Sequence, residues 1–161
     1  MNERLDFKWR ENNGKKKIKS YKETFIRADF DNSNLKPIDL IGSDLIIDEV
    51  KKIFPGITAR KELLNEDLNF VESDLMREIY LSLKESELSY IYTDDFIYCG
   101  MFLVDSKKAF ENAFNVAKVD IQQTCFILDS KFRFHFTITY NDKLHSDFPN
   151  AFDIQRKSLL S

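Results

Sequence analysis

An α+β fold is what this sequence predicts: a largely antiparallel sheet of two or more hairpins, packed with several helices in one domain spanning 1–161. Three observations carry the prediction. From Lys131 the chain alternates without a break, with Phe132, Phe134, Phe136, Ile138 and Tyr140 on one side and Lys131, Arg133, His135, Thr137 and Thr139 on the other. Side chains on a strand point to opposite faces with period two, so this is a strand with one apolar and one polar face. Two further apolar runs, Leu88–Tyr92 and Phe96–Val104, flank Thr93-Asp94-Asp95 and read as a hairpin. Between the two sheet regions, Ala109, Phe110, Ala113, Phe114 and Ala117 recur at helical spacing behind Asp105, a good N-cap. The second half therefore reads β-β-α-β-β. Fifteen Phe and 43% hydrophobic residues in 161 are enough to build a packed interior.

From the start of the chain, Leu5, Phe7 and Trp9 alternate with charged residues and precede Asn12-Asn13-Gly14, a hairpin signal. The return arm KKKIK suits an edge strand, since lysines discourage edge pairing. Ser20-Tyr21-Lys22-Glu23 has the form of a capping box. Tyr21, Phe25 and Ala28 then favour a helix, although Thr24, Ile26, Ala28 and Phe30 also alternate as a strand would. Residues 1–30 are thus expected to form a hairpin and a helix.

Ser43 is the expected N-cap of a helix that runs through Phe54 and stops at Pro55-Gly56. Residues 57–71 show no clear period. Ser73 caps the next helix, whose stripe is Leu75, Met76, Ile79, Tyr80 and Leu83. Phe96–Val104 is apolar on both faces, the pattern of a central strand, and Gly100 within it suggests a bulge or a close approach by another element. Thr124–Leu128 pairs with the alternating strand through a turn at Asp129-Ser130-Lys131. In the tail, Phe148–Leu160, Pro149 marks a possible helix start and Phe152 is the main apolar anchor.

Charge is unevenly spread. Residues 1–27 hold nine Lys/Arg and four Asp/Glu, net +5, and residues 62–105 hold two and eleven, net −9. An acidic band of that size repels nucleic acid and anionic membrane and attracts cationic partners. The lysine run is short and lacks interleaved aromatics, so neither nucleic acid nor membrane is expected as a partner. No apolar run reaches the ~20 residues of a membrane span, and the charged start MNERLDFKWR is unlike a signal peptide, so a cytoplasmic location is expected.

No phosphate-cradling glycine loop, nucleophile elbow or zinc spacing occurs, so no cofactor, metal or enzymatic activity is expected. Three constellations remain. Lys131, Arg133 and His135 could hold an anion, or His135 could act as a general base beside Arg133; a solvated or helix-covered sheet face explains the same row. Asp94-Asp95, flanked by Tyr90, Tyr92 and Tyr98, could hold a metal or share a proton, or form an ordinary turn. Cys99 and Cys125 read as reduced core residues.

In style, the hairpin SYIYTDDFIYCGMFLVD, the closing hairpin TCFILDSKFRFHFTITYNDKLHSDF, the α+β layout and the low-glycine, Lys/Asn/Ile/Phe-rich composition resemble the small immunity proteins of bacterial toxin systems, especially those of contact-dependent growth inhibition. The resemblance implies a non-enzymatic protein that binds one cognate toxin, often a basic nuclease, and blocks it. It carries no functional residue across. Charge and aromatic content point to Asp94, Asp95, Glu85 and Glu87 for the field, and to Tyr90, Tyr92 and Tyr98 for the anchors. Two rival readings are a small-ligand protein or enzyme using Arg133 and His135, and a structural subunit with an exposed aromatic surface.

Overall fold

The computed structural model of the chain describes residues 2–142 and 150–160. Its elements are α1 (Glu3–Arg27), β1 (Lys36–Ile38), α2 (Leu40–Ile53), β2 (Arg60–Asn65), α3 (Asp74–Ser82), β3 (Leu88–Tyr92), α4 (Phe96–Cys99), β4 (Met101–Asp105), α5 (Ser106–Val119), β5 (Thr124–Asp129), β6 (Phe134–Asn141) and β7 (Ala151–Ser158). The strands form one seven-stranded sheet in the order β1-β4-β3-β5-β6-β7-β2, with every neighbouring pair antiparallel. This is the α+β architecture expected from the patterning.

The two faces of the sheet differ. On one, Ile91, Phe102, Ile127, Phe136, Ile138, Phe152 and Ile154 join Tyr21 and Phe25 of α1, Met76 and Ile79 of α3, and Phe110 and Ala113 of α5 in the main core. Phe110 meets Phe134 and Phe136 edge-on, with ring centroids 5.7 and 5.2 Å apart. On the other face, a smaller cluster joins Tyr92, Met101 and Leu128 to Phe54, with Ile46, Val50 and Ile53 of α2 packed against it. Strand β4 is thus covered on both sides, as its continuous apolar run requires.

The helix caps follow ordinary rules. The Ser73 hydroxyl accepts from Met76 N at 3.2 Å, and the Asp105 carboxylate accepts from Lys108 N at 3.0 Å. Glu62 of β2 reinforces the start of α3 by accepting from Ser73 Oγ at 2.6 Å and from Asp74 N at 3.1 Å.

Five local expectations are corrected. The N-terminal hairpin is instead the first half of the 25-residue helix α1. Gly14 serves close packing, not a turn: a Cβ there would overlap the carbonyl oxygen of Tyr98. Gly14, Tyr21 and Ala28 are buried and Phe7 half-buried, one residue in seven, which is two helical turns. The supposed capping box therefore lies inside α1, and the Tyr21 hydroxyl donates to the Gly100 carbonyl at 2.8 Å.

The second correction concerns Ser43, which lies one turn inside α2 while Asp39 is the cap. Ser43 Oγ is buried and accepts from Met101 N at 3.1 Å. Third, Phe96–Val104 is broken into a helical turn and a strand. Gly100 at the break has φ +79, and a Cβ there would overlap the carbonyl oxygen of Ile38, the close approach its position suggested. Fourth, Phe132 adopts φ 58, so β6 starts at Phe134 and Phe132 packs with the smaller cluster. Fifth, the tail forms β7, with Phe152, Ile154 and Arg156 inward. Phe148, Pro149 and His145 lie outside the described residues.

Candidate partner-binding surface

Strand β3 separates the acidic residues into two groups. Five strand residues span about 17 Å, and Glu85 and Glu87 precede β3 while Asp94 and Asp95 follow it. The net −9 of residues 62–105 is therefore not one patch.

At the Leu88 end the charges are matched. Arg133 donates from Nε to Asp129 Oδ2 at 2.5 Å, from Nη2 to Asp129 Oδ1 at 2.9 Å and from Nη1 to Glu87 Oε1 at 3.1 Å. Lys131 Nζ stands 4.0 Å from the same Glu87 oxygen. Asp129 is fully buried. Burial alone would raise the Glu87 carboxyl, but hydrogen bonds from Arg133 and the Lys84 amide outweigh it and hold the group below the usual range. The Arg133 guanidinium is held further into its charged form, first by its bond to Asp129. Glu85 is exposed and makes no ion pair among the described residues.

Arg133 and His135 do not converge. Arg133 lines a hollow with Glu78, Ile79 and Ser82 of α3, on the main-core side. His135 lies on the opposite face, its ring centroid 6.1 Å from Phe54. The backbone reversal at Phe132 breaks the alternation that would have aligned them. His135 Nε2 is 3.0 Å from the Tyr92 hydroxyl. Burial, with a smaller push from Lys157, lowers the imidazole to about 4. A neutral, half-buried imidazole with no carboxylate partner among the described residues is a packing residue rather than a base poised for catalysis.

The Tyr92 end is different. Asp94 is exposed, and its carboxyl is raised first by desolvation and then by Asp95. Asp95 pairs with Lys17 Nζ at 2.9 Å, and the same ammonium sits 4.8 Å from the Tyr98 ring centroid. Tyr98 in turn meets the edge of Trp9 at 5.6 Å. Asp120, at the C-terminal end of α5, accepts from Gln122 N at 3.1 Å and Thr124 N at 3.4 Å. Burial still raises its carboxyl, and Asp94 adds to the rise. A hollow of about 160 Å³ between α1 and this corner is lined by Glu23, Arg27, Asp95, Asp120 and Ile121, among others. Ile121 is 85% exposed.

Of the aromatic candidates, Tyr98 is half-exposed beside Trp9. Tyr90 is half-buried on the face that α2 partly covers, and Tyr92 is 2% exposed and belongs to the core. Sequence reasoning passed over Asp120, Ile121, Lys17 and Trp9. An apolar residue off the helical period, in the short link VDIQQT, was the available signal for Ile121. Lys17 and Trp9 were hidden by the hairpin reading of the N-terminus.

Cys99 and Cys125 are free thiols. Burial and Asp95 push Cys99 up to about 11, so it is a poor nucleophile at neutral pH. Among the described residues, no three His, Cys, Asp or Glu side chains gather as a metal set, and no helix is long and apolar enough to cross a membrane. Compared with family models, with curated proteins and with solved structures, the chain matches none.

Proposed function

We propose that this chain is an immunity-type protein that neutralises a basic, nuclease-type toxin domain by occluding it, and that the Tyr92 end of β3 is its contact. One observation carries the reading. Asp95 and Asp120 line one hollow with the exposed Asp94 next to it in the chain, Asp95 adds to the rise of the Asp94 carboxyl and Asp94 to that of Asp120, and Lys17 and Arg27 are the cations bordering the corner. Such a site gains from a cationic partner what it lacks within its own chain. Ile121, Tyr98 and Trp9 supply apolar and aromatic area around it. The Leu88 end, where Glu87 is already matched by Arg133, contributes little.

The test uses the toxin domain encoded beside this chain's gene. Stopped-flow association is expected to slow at least tenfold at low salt for Asp94→Lys and less than threefold for Glu85→Lys, with nuclease inhibition lost in proportion. Equal slowing in both variants would reject the placement. Absence of any binding or inhibition would reject the function.

A further inference from the structure

The hollow between α1 and the Tyr92 end of β3 is distinct from the exposed charge of Asp94, which does not line it. Its volume is about 160 Å³, and its walls carry three acids, Glu23, Asp95 and Asp120, against one cation, Arg27. Neither Asp95 nor Asp120 uses all its acceptors. Both amide bonds to Asp120 fall on Oδ2, which leaves Oδ1 as a second acceptor. Lys17 Nζ bonds Asp95 Oδ1, which leaves Oδ2. Arg27 is exposed in the last turn of α1, where a cation suits the carbonyl end of the helix. It forms no ion pair with a described residue.

Thr93 Oγ1 is wholly buried and has no hydrogen-bond partner among the described residues. It lies against Asp120, whose charged form it favours. A buried hydroxyl without a partner is unfavourable in a folded chain. Its lone pairs are open to a donor that enters beside Asp120. The apolar side of the hollow is Val119, half-buried, and the exposed Ile121. Such a wall suits the methylene stem of a long charged side chain.

We propose that this hollow is the seat of one arginine side chain of the toxin domain, its guanidinium held between Asp95 and Asp120. The inference rests on the toxin reading and deepens it: Asp94 steers the partner and the hollow holds it. The chemistry selects a guanidinium over other cations. A metal ion needs several ligands around one point, and no three His, Cys, Asp or Glu gather in that way among the described residues. An ammonium is a compact, strongly hydrated charge that resists entry into a partly buried site. A guanidinium is more weakly hydrated and carries five donors in one plane. Those donors can divide between Asp120 Oδ1 and Asp95 Oδ2, with Thr93 Oγ1 beside Asp120 as a third acceptor. Nucleases use arginine to hold phosphate, so an arginine seated here is withdrawn from nucleic acid.

The experiment measures association and dissociation rates of the full chain with the toxin domain encoded beside its gene. Asp120→Asn keeps an acceptor for the Gln122 and Thr124 amides. It should raise the dissociation rate by about thirtyfold or more and change the association rate by less than about threefold. Ile121→Ser should raise dissociation about fivefold, and Glu85→Gln should leave both rates within about twofold. Circular dichroism on each variant separates lost binding from lost fold. Each surface arginine of the toxin domain is then changed to lysine, alone and against Asp120→Asn. One of them should match the Asp120→Asn loss and add little to it in the double variant. Should Asp120→Asn fail to fold, the same cycle is run with Ile121→Ser. A dissociation rate unmoved by the folded variant overturns the proposal. So does a scan in which every arginine adds its loss independently. In both cases the toxin reading stands if Asp94→Lys still slows association. Absence of any binding rejects the two together.

Discussion

The two ends of strand β3 carry the same charge and treat it in opposite ways. At the Leu88 end, Glu87 and the buried Asp129 close on the single guanidinium of Arg133. At the Tyr92 end, the cations near Asp94 and Asp120 among the described residues are Asp95's ammonium partner, Lys17, and Arg27. The first arrangement satisfies charge inside the chain and contributes to folding. The second leaves Asp94 exposed and without a cation of its own among the described residues, while the buried Asp120 is held by the amides of Gln122 and Thr124. Acidic composition is identical evidence for both, so counting carboxylates cannot distinguish a clamp from a contact surface.

The largest expected effect is at the clamp. Arg133→Met leaves Asp129 buried without its cation, and urea denaturation should show a loss of about 3–5 kcal/mol. Asp129→Asn in the same background should restore part of it. An Arg133→Met loss below 1 kcal/mol would mean the two ends are alike.

On the face of the sheet that packs against Phe54 the stability effect is one of proton binding. His135 holds at about 4 when folded against an ordinary 6.5. As pH falls below 6.5 the unfolded chain takes up a proton that the folded chain refuses until about 4, so stability drops through that window and levels below it. The loss is about 3 kcal/mol. Denaturation midpoints of the parent and of His135→Gln, compared at pH 7 and pH 5, should converge on acidification; parallel curves would place a solvated imidazole there.

Smaller effects follow at the surface. Lys17→Ala removes a half-exposed pair and should cost less than about 1 kcal/mol. It should also raise the affinity for a cationic partner by exposing Asp95. Asp94→Asn is expected to stabilise slightly, because folding raises that carboxyl and so disfavours its charge, an effect that solvent screening at this exposed position keeps small. Thermal melts at neutral pH against melts near pH 3 check the sign: the gain should vanish once Asp94 is protonated in both states.

Much of the fold was legible because period and cap agreed. Helices α3 and α5, strands β3, β5 and β6 and their caps sit where the stripes and Ser73 and Asp105 placed them. The failures have definite causes. Asn12-Asn13-Gly14 reads as a turn by local preference, yet Gly14 is required by the carbonyl of Tyr98, eighty-four positions along the chain. In β7 the third inward position is Arg156, whose Nη1 donates to the Leu75 carbonyl at 3.1 Å, so a polar residue masks a buried alternation. The candidate site was legible only as residue types. Asp94 was visible, but Asp120, Ile121 and Lys17 reach it from other elements.

By itself, then, the sequence determined the class of fold, its closing hairpin and the helices with clean stripes, because those depend on contacts between residues a few positions apart. Only the tertiary structure decided that the N-terminus is one helix, that Arg133 and His135 part to opposite faces, and which carboxylates find a cation. Those outcomes depend on packing and charge between distant segments, and a linear pattern does not record which of them meet.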